Sequence, residues 1–260
     1  MRNKRSGELC VCGRKAVEAL LAFHPEKVTR LFFNQERSAS LGRACAYLAS
    51  RRLPYRLVQD DELEALSHST HHQGVLAMRE AFTPDTVGPR EVNEWKEGKK
   101  RILVLEDIGN SHNLGAIVRS AAFFGLETIV LCGAGRSSAI STSAYRVAEG
   151  GMEHVRILQT ASLAALFGPG NGDFPLLGAD HSGALSLDDP LALPRGGFAL
   201  ALGNEESGLS PTTRRLCSAL IRISGSGNIE SLNVAQAAAV FLSRMCPDKA
   251  APRKAGERRE

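Results

Sequence analysis

The sequence predicts an α/β protein in two parts, a small α/β module followed by a larger domain built on a parallel sheet. Short runs such as Ile102 to Leu105, Ile129 to Leu131 and Phe198 to Leu202 are apolar at every position, the pattern of strands covered on both faces. Helical periods separate them at short intervals, which gives the strand, helix, strand repetition of a doubly covered sheet. Between the two parts lies a stretch of turn formers and positive charge, Pro84, Gly88, Pro89 and then WKEGKKR.

The small module spans residues 9–80. Ala16, Val17, Leu20 and Leu21 recur at helical spacing, and His24-Pro25 ends that helix. Val28 to Phe33 reads as a strand, Glu36 to Ala49 as a helix with Leu41, Ala44, Cys45 and Leu48 inward, and Tyr55 to Val58 as a second strand. Asp61 is placed to cap a short helix, and Val75 to Met78 forms a third strand. Residues 81–100 read as a linker. The large domain, 101–246, opens on the strand 102–105, and the polar turn EDIGNSHN leads to a helix from Leu114 to Phe124 that Gly125 closes. Ile129 to Leu131 is another buried strand. Gly133 to Ala144, rich in Gly and Ser, is expected as a mobile loop. AEGGMEHVRIL passes from a helix end into a strand, LAALF is helical, and Pro169 to Asp173 turns. Strands follow at Leu176 to Ala179, Phe198 to Leu202 and Leu220 to Ile223. The last helix places Leu232, Ala235, Ala239 and Leu242 on one side and stops at Pro247. Residues 247–260 are polar and mostly basic, a flexible tail suited to touching phosphates.

With 260 residues, 43% of them apolar, the chain has enough material for one large core and a smaller one beside it. A formal charge of +4 and a pI near 8.8 permit a nucleic-acid partner without requiring one. The six cysteines, Cys10, Cys12, Cys45, Cys132, Cys217 and Cys246, have no disulfide spacing and predict reduced thiols in a cytoplasmic protein, with one of the pair Cys10 and Cys12 in the core. The basic start lacks the apolar stretch of an export signal, and no apolar run is long enough to span a bilayer, so no membrane partner is expected. His68, His71 and His72 have ligand-like spacing but no second cluster beside them. They are read as surface histidines, and no metal is expected.

Ligands of parallel sheets bind beyond the carboxyl ends of the strands, and three polar loops lie there: 106–113, 203–210 and 224–233. Gly133-Ala-Gly135 does not complete a dinucleotide fingerprint, and no glycine loop is followed by a phosphate-binding lysine. Asn113 either caps the helix after it or serves a site. Arg119, on an otherwise apolar helix, needs a partner: a carboxylate at Glu106, Asp107 or Glu205, or a phosphate brought by a substrate. Gly203-Asn-Glu-Glu-Ser-Gly208 is either a tight turn or a backbone rim for a polar ligand, with Glu205 as acceptor or as partner to Arg119. Gly225, Gly227, Asn228, Ser231 and Asn233 combine backbone freedom with small polar groups just before a buried helix.

Asn113, Gly115 and Arg119 in NLGAIVR, GNEESGLS from Gly203 to Ser210, and IRISGSGNIESLNVAQA from Ile221 to Ala237 resemble, in order and in separation, the three motifs of the SpoU (TrmH) family of RNA 2'-O-ribose methyltransferases in the SPOUT superfamily. The resemblance covers residues 101–245. VCGRKAVEALLAFHPEKVTRLFF with HHQGVLA is similar to the family's small amino-terminal substrate-binding domain, related in fold to a ribosomal protein. The resemblance implies a carboxyl-terminal trefoil knot, a rare exception to unknotted topology. It implies a homodimer with sites at the interface. It implies S-adenosylmethionine held by backbone at Leu202, Gly203, Asn204 and Gly208, at Ile223, Ser224 and Gly225, and at Leu232, with Asn113, Arg119, Glu205, Ser231 and Asn233 as catalytic positions. Arg222 stands where many members have proline and Ala235 where serine is common. SAYRVAEGGMEH replaces a small-residue run before Gly-Ala, so target choice or the fit of this loop is expected to differ.

The implied reaction is in-line methyl transfer to a ribose 2'-hydroxyl, which asks the site to orient that hydroxyl and accept its proton. Arg119 binds the neighbouring phosphate. A base role for it stays open, because a guanidinium is ordinarily charged. Asn113 orients Arg119 or the ribose, Glu205 organises its loop, and Ser231 and Asn233 bond substrate or order the cofactor loop. Structured RNA read by shape suits basic segments without an aromatic platform. Ribosomal RNA is preferred by analogy with the appended domain, and transfer RNA is the alternative. From another class, a non-catalytic RNA-binding or assembly factor would keep the knot without the chemistry.

Overall fold

The computed structural model describes residues 2–3, 7–81, 83–133, 140–168 and 174–246. The expected turn at 169–173, the basic tail at 247–260 and positions 134–139 of the expected mobile loop lie outside them.

The small domain is a five-stranded mixed sheet. It comprises β1 (Arg2–Asn3), β2 (Glu8–Cys12), β3 (Val28–Phe33), β4 (Tyr55–Leu57) and β5 (Val75–Glu80) in the order β1-β2-β5-β3-β4. On one side α1 (Arg14–Phe23) buries Ala16, Val17 and Leu20. The single helix expected over 36–49 is divided into α2 (Gln35–Ser38) and α3 (Gly42–Ser50) by a 3-10 turn at Ala39–Leu41. There the hydroxyls of Ser38 and Ser40 bond to carbonyls three residues earlier, which competes with a continuous helix. In α4 (Asp60–Ser67) Gln59 holds the cap position. Asp61 lies in the first turn, where its carboxylate faces the positive end of the helix and accepts from Glu62 N–H. Cys10 and Cys12 are both buried, because the strand expected to begin after them includes them.

The expected linker is instead part of the large domain. β6 (Asp85–Thr86) pairs with β9 (Arg156–Thr160), and α5 (Pro89–Glu97) buries Val92 and Trp95, the latter 6.2 Å from the ring of Phe174. Pro89 at the first helical position and the Glu91 side chain on Gly88 N–H start this helix. The remaining strands are β7 (Arg101–Glu106), β8 (Thr128–Cys132), β10 (Leu176–Ala179), β11 (Leu185–Ser186), β12 (Phe198–Leu202) and β13 (Ala219–Arg222). The eight strands run parallel in the order β11-β13-β10-β12-β7-β8-β9-β6.

Both faces of the sheet are covered. Leu103, Leu105, Ile129, Leu131, Leu200 and Leu202 point to the core that holds α6 (Ser111–Phe124) and α10 (Val234–Met245). Ile102, Val104, Val130, Ala199 and Ala201 alternate to the other face, under α5, α8 (Ala164–Phe167) and the residues before α9 (Pro211–Leu216). After β13 the chain returns to set α10 against α6, the path that the knotted topology requires. In α10 the buried residues are Val234, Ala238, Phe241, Leu242 and Met245, a stripe displaced from the expected Leu232, Ala235, Ala239 and Leu242. Leu232 precedes the helix, because Asn233 caps it.

The expected loop from Gly133 ends early: α7 (Thr142–Ala148) begins at Thr142 with the Ser141 side chain as cap. α7 and the 3-10 turn Gly151–Glu153 pack between α6 and the small domain, so the two domains share one apolar cluster.

Candidate active site

The carboxyl ends of β7, β12 and β13 lead into the three polar loops, and one side chain joins all three. Asn113 Nδ2 donates to Glu205 Oε1 at 2.5 Å, and Asn233 Nδ2 donates to Asn113 Oδ1 at 3.2 Å. Asn113 is therefore not the helix cap. The Asn110 side chain fills that role by accepting from His112 N–H, which leaves the Asn113 amide, one turn further in, to reach across.

The 203–208 loop is closed on itself. Asn204 and Gly208 exchange backbone hydrogen bonds of 3.1 and 2.9 Å, and Asn204 Oδ1 accepts from Glu206 N–H and Ser207 N–H. A Cβ on Gly203 would lie 2.1 Å from the Gly208 carbonyl carbon, so only glycine allows this closure. The loop is tied to β7 by Asn204 Nδ2 donating to the Asp107 carbonyl. A second tie is the buried Glu106 carboxylate, which accepts from Ser210 N–H, Ser210 Oγ and Thr213 Oγ1 at 2.9, 2.8 and 2.6 Å. Leu202 is buried at the end of β12, Ile223 is half-buried just past β13, and Gly225, Ser231 and Leu232 are exposed. Ser224 Oγ lies 2.8 Å from Ser186 Oγ. Arg222 donates to the carbonyls of Gly183 and Ala184 at 2.7 and 2.8 Å and thereby fastens the segment before β11.

Arg119 does not join this group. Its partner is Glu149, with Nη1 to Oε1 at 3.1 Å, and its side chain is 56% exposed. Glu205 is engaged by Asn113, and Glu106 by Ser210 and Thr213. The reason is helical geometry. Six residues turn the helix by about 600°, so Arg119 leaves α6 roughly 120° away from Asn113. The other Glu149 oxygen accepts from Lys15 Nζ at 2.8 Å. That hydrogen bond, with the Arg119 charge beside it, holds the Glu149 carboxyl below the usual range.

Arg119, Lys15 and Glu149 line a cleft of about 870 Å³ between the domains, together with Arg14, Arg37 and Arg146. Glu149 and Arg146 were not anticipated, since their contacts span segments far apart in sequence. His71 also lines the cleft. His72 is buried and its Nδ1 accepts from Gly74 N–H, so it is a structural residue and not a surface one. Among the described residues no group of three or more His, Cys, Asp or Glu is placed to hold a metal. No described helix is long and apolar enough to cross a membrane.

Residues 10–84 match the model for RNA 2'-O ribose methyltransferase substrate-binding domains, which sets the class: an RNA-modifying transferase that carries its substrate-binding domain in front. Residues 100–243, more than half of the chain, match the SpoU rRNA methylase family, and the chain belongs to that family. Over 90% of its length it is 30% identical to the 23S rRNA (guanosine-2'-O-)-methyltransferase RlmB of Acinetobacter baylyi, of which it covers 95%. It is 31% identical over 93% of its length to the uncharacterized tRNA/rRNA methyltransferase YfiF of Escherichia coli O157:H7, of which it covers 69%. The SpoU methyltransferase AviRb of Streptomyces viridochromogenes, solved in complex with AdoMet, superposes with a TM-score of 0.74 at 22% identity. The match covers 95% of this chain and 93% of that one, and it shows the shared fold.

Proposed function

We propose that this protein transfers the methyl group of S-adenosylmethionine to the 2'-hydroxyl of a guanosine or other nucleotide in structured ribosomal RNA. The observation that carries the reading is the single amide of Asn113 linking the loops after β7, β12 and β13. A closed glycine loop at 203–208 and the exposed segment from Ser224 offer backbone N–H and C=O groups with few side chains in the way, which fits an adenosine and an amino-acid moiety. When bound, S-adenosylmethionine supplies an electrophilic methyl carbon on a sulfonium whose sulfur leaves as a neutral thioether, so no acid is required.

The protein's own part is positioning. Leu202, Gly203, Asn204 and Gly208, Ile223 to Gly225 and Leu232 form the cradle, and Glu205 is the acceptor that fixes Asn113. Ser231 and Asn233 border it from the third loop. Arg119 clamps the phosphate next to the acceptor ribose through charge-assisted hydrogen bonds. Within one chain Arg119 faces away from the Asn113 relay, and we read the working form as a homodimer in which Arg119 of one copy meets the relay of the other. Phe123, Ile229, Leu232 and Val240, all exposed, supply apolar surface on the same helices and loop for that contact. The six free thiols suit a reducing cytoplasm.

Mapping of 2'-O-methyl marks in ribosomal and transfer RNA from cells with and without the gene tests the substrate. Loss of one ribosomal mark is expected. Loss of a transfer RNA mark instead would reassign the substrate, and no loss together with retained cofactor binding would point to a non-catalytic factor. Arg119→Ala should keep fold and cofactor affinity and lose turnover; full methylation in a single-turnover assay would refute its role.

A further inference from the structure

The stretch 141–154, the part of the chain least like the family pattern, touches the small domain along much of its length. The Tyr145 hydroxyl accepts from Arg79 at 2.6 Å, Glu149 from Lys15 at 2.8 Å, and Glu153 pairs with Arg79 at 3.4 Å. The His154 ring meets the Phe23 ring edge-on at 4.5 Å. Gly150 has φ 94°, and a Cβ there would come within 2.8 Å of Ala19 Cβ on α1. Gly151 lies on the opposite side, where a Cβ would be 3.2 Å from Arg119 Cα. The two glycines thus form a thin wedge between the small-domain helix α1 and the catalytic-domain helix α6, and Glu149 directly precedes them.

We propose that Glu149 is a positioning residue that ties the RNA-binding small domain to Arg119; this rests on the function proposed above. The carboxylate is divided between the domains, with Oε2 on Lys15 and Oε1 on Arg119. Its backbone is fixed: Glu149 ends α7 in the left-handed conformation, φ 47°, and Gly150 is pressed against α1. A guanidinium has five donors in one plane, so an Nη on Glu149 leaves the far edge for a phosphate. Both ion pairs are about half-exposed and contribute little to stability; their consequence is geometry. Arg146 lines the same cleft and has no ion pair among the described residues, which leaves its charge for the RNA backbone. RNA seated on the small domain therefore meets a guanidinium already oriented by that domain's own lysine.

The full chain carrying Glu149→Gln, Glu149→Asp or Arg119→Lys, and the combination of Glu149→Gln with Arg119→Lys, is assayed for methyl transfer to ribosomal RNA from cells lacking the gene. Glu149→Gln should lower kcat by about ten- to hundredfold, the scale of misplacing a catalytic group by about 1 Å, with KM for RNA within about threefold. Glu149→Asp should recover part of the loss, and the combined variant should be no slower than Arg119→Lys alone. Unchanged kcat, or losses that multiply in the combined variant, overturns the proposal. A lowered KM at unchanged kcat also overturns it, since Glu149 would then merely compete with RNA for cations. If the unaltered chain methylates no ribosomal or transfer RNA, the proposed function fails and filter binding to ribosomal RNA decides the inference. There Arg119→Ala must weaken binding in the otherwise unaltered chain but not together with Glu149→Gln, and equal weakening in both overturns it.

Discussion

The joint between the domains contains a buried ion pair whose removal has a calculable pH signature. The side chains of Arg79 on β5 and Glu153 after α7 are only 5% and 2% exposed, with Nη1 and Oε1 3.4 Å apart. Burial pushes the Glu153 carboxyl above its ordinary value of 4.5, and the charges of Arg79 and then His24 oppose that shift. Arg79→Met leaves Glu153 in the same pocket without its main counter-charge. A carboxylate that stays ionised there costs about 3–5 kcal/mol. Taking up a proton instead costs about 1.4 kcal/mol for each pH unit above the ordinary value of 4.5, which is about 3.4 kcal/mol at pH 7. The cheaper route sets the loss.

The raised folded-state pKa means that the folded protein binds this proton more tightly than the unfolded chain. The penalty is therefore absent below pH 4.5 and grows as the pH rises from 4.5 through the folded value, the reverse of a salt-bridged surface carboxylate. Thermal unfolding of Arg79→Met should occur about 7–14 °C below the unaltered chain at pH 7, taking about 2–4 °C per kcal/mol for a chain of this size. The gap should close to less than about 3 °C near pH 4.5, and adding Glu153→Gln should narrow it at pH 7. An equal gap at pH 5 and pH 7 would refute the reasoning, because lost packing alone has no proton dependence.

Two further perturbations test the loops. Gly203→Ala places a methyl group within 2.1–2.3 Å of the Gly208 and Leu209 backbone, so the 203–208 loop must open. The chain should stay folded while S-adenosylmethionine binding by calorimetry weakens by more than about tenfold, or about 1.4 kcal/mol, and an unaltered Kd would contradict the cradle. Glu106→Gln removes a charge that accepts three hydrogen bonds from Ser210 and Thr213. It should cost about 2–3 kcal/mol in urea unfolding, and an unchanged urea midpoint would count against this anchor.

What the sequence made legible was whatever depends on neighbours along the chain. Strands such as Ile102 to Leu105 announce burial on both faces, and the polar loops at their carboxyl ends follow directly from that pattern. The meeting of Asn113, Glu205 and Asn233 is an extension of the same logic. The partner of Arg119 was illegible for the opposite reason. Glu106, Asp107 and Glu205 lie in the loops that such a sheet gathers, whereas Glu149 reaches Arg119 only because α7 crosses α6 under the small domain. α5 was hidden by its charge: only Val92 and Trp95 are buried in a helix otherwise made of polar and charged residues and one proline, so it reads as a solvated linker. His72 and Cys12 were misplaced because a strand start and a turn buried them, which composition does not register.

The spacing of Asn113, Gly115 and Arg119 acquires a physical meaning from these contacts. Two residues turn a helix by about 200° and six by about 600°, so the three positions leave α6 on three different sides. Asn113 reaches the loops after β12 and β13, and Arg119 reaches the interdomain cleft. Gly115 faces α7, where a Cβ would lie 2.6 Å from the Ala144 carbonyl oxygen and 2.8 Å from Val147 Cβ. Any side chain at 115 must push α7 outward, and α7 ends at Glu149, which it carries to 3.1 Å from Arg119. The glycine thus has a structural task with a catalytic consequence: it sets how closely two helices approach, and through that approach where the guanidinium points.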